Sequence, residues 1–220
     1  MDFQWDIFIE AMPTLLKGAW ITVQLAVISV VIGLALGVFG GLGRVSANPV
    51  IRYATLVYVT AMRGIPLLVT LMFLYYGLPA AGIQLSAFTV ALLALSVTNG
   101  AYVTEIVRAG IQSIDVGQMR AARSLGMSYR LAMRRIILPQ VVRRVLPPIT
   151  NEAITLLKNT ALVSTIALTD LLRAGLEVMT WKANTFSPFA GVALIYLLMT
   201  MPMIWLVSRL ERRFAFPGSH

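Results

Sequence analysis

The chain has 220 residues, 58% hydrophobic and 12% charged, with a mean hydropathy of +0.81. A soluble domain averages about 45–50% apolar and about 25% charged residues, so this composition excludes an ordinary soluble fold and suits lipid. The net charge of +9 would suggest nucleic acid in a soluble protein, but the arginines cluster beside apolar stretches instead of forming an aromatic-laced stripe, so nucleic acid is excluded as a partner.

Asp2, Asp6 and Glu10 precede the first basic residue, Lys17, which is the wrong charge order for a secretory signal. Residues 7–17 read as a short interfacial segment. Five apolar stretches follow, at 19–43, 54–78, 87–109, 149–171 and 188–209. Each can cross about 30 Å of hydrocarbon as a helix rising 1.5 Å per residue, and backbone polar groups in lipid need the internal partners that a helix provides. Roughly five or six spans fit the length, too few for a carrier with two six-helix halves in one chain.

Span one carries Gly33, Gly37, Gly40, Gly41 and Gly43 at spacings that let helices approach closely. Span two holds Arg63 just before Gly64 and Pro66, whose missing N–H bends the helix. Arg63 steadies that bend, or binds a substrate carboxylate or a lipid headgroup. In span three, Asn99 lies mid-span, and Glu105 can pair with Arg108 one turn on.

The connection 109–148 has helical grammar. Asp115 can cap a helix with Met119, Ala122 and Leu125 at its small and apolar positions, and Gly126 can end it left-handed. Ser128 can cap a second helix running through Leu138, with Pro139 stopping or bending it. Such a pair outside the membrane suits a soluble partner. Arg130, Arg134 and Arg135 suit anionic lipid equally well, and spacing alone does not choose.

In span four, Asn151, Glu152, Thr155, Lys158, Asn159 and Thr165 share an arc of about 140° at 100° per residue. Ala153, Ile154, Leu157 and Leu168 lie opposite. Charge inside a membrane costs at least about 2.5–3.5 kcal/mol on insertion scales, so such groups face a cavity or a partner. Glu152, Thr155, Asn159, Asn99, Arg63 and Lys158 are therefore the candidate substrate pathway, with pairing to other chains as the structural alternative for Glu152 and Lys158.

With five spans, thirteen Lys and Arg fall on one side and three on the other, with Arg63 and Lys158 inside spans. Positive charge favours the cytoplasm. The N-terminus is thus expected outside, and the 44–52 loop, the 109–148 loop and the C-terminal tail inside.

The chain has no cysteine and one histidine, His220, read as a tail residue. Thiolate chemistry, His-based triads and His or Cys metal sites lack parts, so no catalytic residue, metal or cofactor is expected. No lysine opens a Lys-Ser or Lys-Thr phosphate-binding motif, because the three are followed by Gly18, Asn159 and Ala183. Any ATP-driven work belongs to another subunit.

Ala121-Ala122-Arg123-Ser124-Leu125-Gly126, followed after ten residues by Ile137-Leu138-Pro139, resembles the EAA loop of ABC importer permeases. Glu105–Ile111 resembles the entry to that loop, Arg63–Leu67 and Lys158–Ser164 are similar to second-span and fourth-span signatures of the polar amino acid uptake subgroup, and the likeness runs from about 14 to 213. Arg120 departs from the pattern, standing where the triplet has its acid.

The resemblance implies an all-α integral membrane permease of a type I ABC importer in the bacterial inner membrane. It would have about five transmembrane helices and a cytoplasmic coupling loop between spans three and four. Met119, Ala121, Ala122, Leu125 and Gly126 would seat in an ATP-binding subunit, two of which serve each complex. A second permease chain, identical or paralogous, an external solute-binding protein and membrane lipid are the other implied partners. Asn151-Glu152 resembles family members that carry basic amino acids, while Lys158 on the same arc could neutralise Glu152 and leave a neutral or acidic substrate. The rival reading is an ATP-independent oligomeric channel or small secondary transporter with the basic loop on lipid. An intramembrane enzyme is a second rival, but no intramembrane dyad presents itself.

Overall fold

The structure, a computed structural model, describes residues 3–214; His220 lies outside the described residues. Nine α-helices are present among them: α1 (Trp5–Arg44), α2 (Pro49–Gly64), α3 (Leu67–Met72), α4 (Ala87–Gln112), α5 (Val116–Ser124), α6 (Tyr129–Ala132), α7 (Leu138–Asn159), α8 (Leu171–Lys182) and α9 (Phe186–Phe214). No strand occurs among the described residues.

Helix α1 is the spine. Its 40 residues span about 60 Å. The interfacial segment expected at 7–17 is not separate, since the helix runs unbroken through it. Pro13 lies on an exposed face while Ala11 and Leu15 are buried with Leu171, Ala174, Val192 and Ile195, so packing on α8 and α9 carries the helix past the proline. An ion pair between Lys182 and Glu10 closes the same end.

The second half of α1 packs on α4 through its glycines. A Cβ at Gly33 would meet Asn99, at Gly37 Val103, at Gly40 Thr104 and at Gly41 Val107, each within 2.4 Å. This ascending register means that α1 and α4 run parallel. Gly43 makes the same kind of approach to Thr55 on α2. Helix α9 also runs with α1, because Val192 packs near Leu15 while Met199 and Met203 pack near Ala26. Helix α7 runs against α4: Val145 meets Gly110, and Glu152 meets Asn99. Helix α2 is likewise reversed, with Thr55 beside Gly43 and Tyr58 beside Gly100.

The expected second span at 54–78 is broken. α2 starts at Pro49 behind the cap Asn48, and its axis meets the 67–81 segment at 98°. Ile65 is extended (φ −96°, ψ 128°), as the residue before a proline prefers. A π-turn at Phe73–Gly77 and a 3-10 turn at Leu78–Ala81 finish the segment.

The expected fourth span at 149–171 needs a larger correction. The helix begins at Leu138 and ends at Asn159; a 3-10 turn follows at Thr160–Thr165, and Asp170 opens a new helix, α8. Pro139 does not stop the chain. A π-turn at Met133–Ile137 shifts the hydrogen-bond register, so the proline falls in the first turn of α7, where a missing N–H costs little. The stretch between the expected fourth and fifth spans carries α8, capped by the buried Asp170 carboxylate on the Leu172 and Arg173 amides.

By length and composition, α1, α4 and α9 can cross a membrane, and the bent 49–64 and 67–81 pair makes a fourth candidate. The charges on α7 keep it out of that set.

Candidate functional site

The first polar centre joins α4 and α7. Asn99 is buried, and it fits beside α1 because residue 33 has no side chain. Its Nδ2 donates to Glu152 Oε1 at 3.4 Å. Helix α7 turns Ile154, Leu156 and Leu157 into the protein. Asn151, Thr155 and Lys158 are exposed on its other side, with Glu152 and Asn159 half-buried at the rim. The polar arc therefore lies on the outward face of this chain, available to water, substrate or a second subunit. No ion pair joins Lys158 to Glu152 among the described residues.

Arg63 belongs to a second centre. Glu105 accepts Arg44 Nε at 3.1 Å on one oxygen, and Arg108 Nε and Nη2 at 2.9 and 2.7 Å on the other. Arg63 Nη1 stands 3.9 Å from the same oxygen, and its guanidinium lies over the Tyr102 ring at 5.2 Å. One carboxylate thus ties α1, α2 and α4 together at one end of the bundle, beside a cavity of about 420 Å³ lined by Arg44, Thr60, Arg63, Tyr102 and Glu105. Among the pathway candidates, the structure brings Asn99 and Glu152 into contact and sets Arg63 in this neighbouring cluster. The Glu105–Arg108 pair follows from i,i+3 spacing. The roles of Arg44 and Arg63 have no local signal, because they come from 61 and 42 residues away.

The third feature is α5. Asp115 Oδ1 accepts the Gly117 amide, and Gly126 is left-handed with φ +79°. The Met127 amide donates to Ala122 O and the Gly126 amide to Arg123 O, a paired C-terminal closure that only a left-handed residue permits. Ser128 Oγ accepts the Leu131 amide to start α6. Ala122 is buried, and Met119 is half-buried against the cluster of Ile114, Ile137, Val141 and Val145, so Ala122 is closed to a docking partner and Met119 only partly open to one. Ala121, Leu125 and Gly126 do face outward, Leu125 with 82% of its surface exposed.

Residues 29–216 match the family described as the binding-protein-dependent transport system inner membrane component. The chain belongs to that family. This permease is 34% identical over 215 residues to the glutamine transport system permease protein GlnP of Escherichia coli (strain K12), covering 97% of this chain and 98% of that one. It is 37% identical over 215 residues to the arginine transport system permease protein ArtQ of Bacillus subtilis (strain 168), with the same coverage of both chains.

It also superposes, with a TM-score of 0.91 and 38% identity, on a chain in a crystal structure of an amino acid ABC transporter with histidines, covering 97% of the permease and 100% of that chain. An inward-facing MetNI methionine ABC transporter chain matches with a TM-score of 0.76 at 17% identity, a likeness of fold alone, over 93% of the permease and 98% of that chain. The fold is that of type I ABC permeases, and the protein is a multi-pass inner-membrane component that works with ATP-binding subunits and a solute-binding protein. Family membership sets aside the ATP-independent channel and the small secondary transporter.

Proposed function

We propose that the permease is the translocating subunit of an importer for polar amino acids and that it prefers cationic ones. The named relatives are glutamine and arginine permeases. The observation that carries the cationic preference is the Asn99–Glu152 contact. The amide orients the carboxylate without neutralising it, so a substrate cation arriving at the half-buried oxygen gains a charge-assisted hydrogen bond.

Five crossings with the N-terminus outside agree with the helix directions: α1, α4 and α9 run one way, and α2 and α7 the other. On that reading α5 lies on the arginine-rich, cytoplasmic side, and its outward face seats in the ATP-binding subunit. Asn151, Thr155 and Lys158 would be costly against lipid, which supports a second permease chain facing them across a shared pathway. Closure of the ATP-binding pair would move α5 and α6, and with them α7, which continues from α6 through the π-turn. The transition swaps two cavity states.

Glu152→Gln tests the substrate reading. In reconstituted vesicles it should lower arginine or lysine uptake at least about tenfold, as loss of one half-buried charge interaction of about 1.4 kcal/mol or more would. Arginine binding to the solute-binding protein should stay normal. Wild-type uptake by the variant would remove Glu152 from the pathway.

A further inference from the structure

Helix α5 carries on its outer face one charge without a partner among the described residues. Its inner side is set by Met119 and Ala122, and Gln118 contacts Gln140 of α7. At 100° per residue the opposite side carries Arg120 and Ser124, flanked by Val116 and Ala121. All four are exposed, Val116 by 67%. The nearby charges are already engaged: Asp115 caps the helix, and Arg123 donates to Met127 O at 3.3 Å. Arg120 makes no hydrogen bond or ion pair among the described residues. Its own segment offers none, because residues 116–151 contain seven arginines and no carboxylate.

We infer that Arg120 is the charge that selects the ATP-binding partner, and that the docking groove of the cognate subunit presents a carboxylate to it. The inference rests on the reading of α5 as the docking helix and adds the sign of the contact. The EAA pattern has an acid at this place, so the polarity here is reversed. A guanidinium on a face bounded by Val116 and Leu125 is partly desolvated on docking, where an acidic partner is favoured and a basic groove is rejected. The permease would thereby refuse ATP-binding subunits whose groove is built for an acidic triplet.

The test measures affinity of the cognate ATP-binding subunit for the full-length permease in nanodiscs of phosphatidylcholine alone. The proteins compared are wild type, Arg120→Lys, Arg120→Glu and Leu125→Asp, each checked for an unchanged melting temperature. Arg120→Glu should weaken binding about tenfold or more, while Arg120→Lys stays within about threefold. Raising salt from about 0.05 to about 0.5 M should weaken wild type and leave Arg120→Glu little changed or improved.

If Arg120→Glu binds like wild type while Leu125→Asp fails, the charge inference is overturned and the docking reading stands. If both bind like wild type, the docking reading falls and takes the inference with it. A loss in Arg120→Glu that appears only when phosphatidylglycerol is added to the nanodisc would assign Arg120 to the lipid surface and overturn the inference.

Discussion

Glu105 shows how one side chain organises three helices. Its side chain is 17% exposed and that of Arg44 16%, so the pair is largely shielded from water. Glu105→Gln keeps the shape but removes the charge, leaving three guanidinium groups around a neutral amide. A hydrogen bond to a charged group is worth about 1.5–3 kcal/mol, and the partial exposure of Arg108 and Arg63 puts the expected loss at the lower end of that range. Thermal unfolding in detergent should show the variant melting clearly below wild type. An unchanged melting temperature would mean that the cluster holds nothing together. The sequence shows the Glu105–Arg108 half of this centre through its spacing. It hides the Arg44 half, which exists because glycines bring α1 onto α4 in parallel register.

At the scale of elements, what was legible followed local chemistry. Asp115, Ser128 and Gly126 mark α5 and α6 because caps and left-handed closures depend on the residue itself. The close approach of span one was legible from its glycine spacing, although its partner was not. Helix α7 starts earlier than the expected fourth span because Pro139, read as a stop or bend, sits inside the continuing helix, as do Pro147 and Pro148. A register shift and burial of Val141 and Val145 against α4 and the α5 region overrode those local signals. For the same reason Met119 and Ala122 were legible as apolar helix positions but not as inward-facing ones.

Gly126→Ala tests the closure of α5. A side chain in the left-handed region costs about 1–2 kcal/mol, so amide hydrogen exchange over residues 116–128 should quicken about five- to thirtyfold. ATP hydrolysis by the complex should respond less to the loaded binding protein. Unchanged exchange would show that the turn does not hold the helix.

For the whole molecule, the proposed orientation rests on the alternating directions of α1, α2, α4, α7 and α9 and on the arginine distribution. The apolar exterior includes Val31, Phe39, Phe73 and Leu198, and Arg209 sits over the Trp205 ring at 4.2 Å near the arginine-rich end of α9, as interfacial anchors do. The absence of native cysteine makes the orientation easy to read. Cysteine at Ala47 or Ser128 should resist an impermeant thiol reagent in intact cells, and cysteine at Thr185 should react; neighbouring Ser187 is buried and unsuitable. Reaction at Ser128→Cys from outside would reverse the topology and remove α5 from the cytoplasm.

The most direct measurement is uptake of labelled arginine by proteoliposomes holding the permease with its ATP-binding subunits, with the solute-binding protein added outside. Accumulation above the external concentration is expected only with ATP inside and binding protein outside, and lysine should compete better than glutamate. Arginine entry that runs down its gradient without ATP, or a complex that prefers glutamate, would contradict the proposed cationic amino acid import.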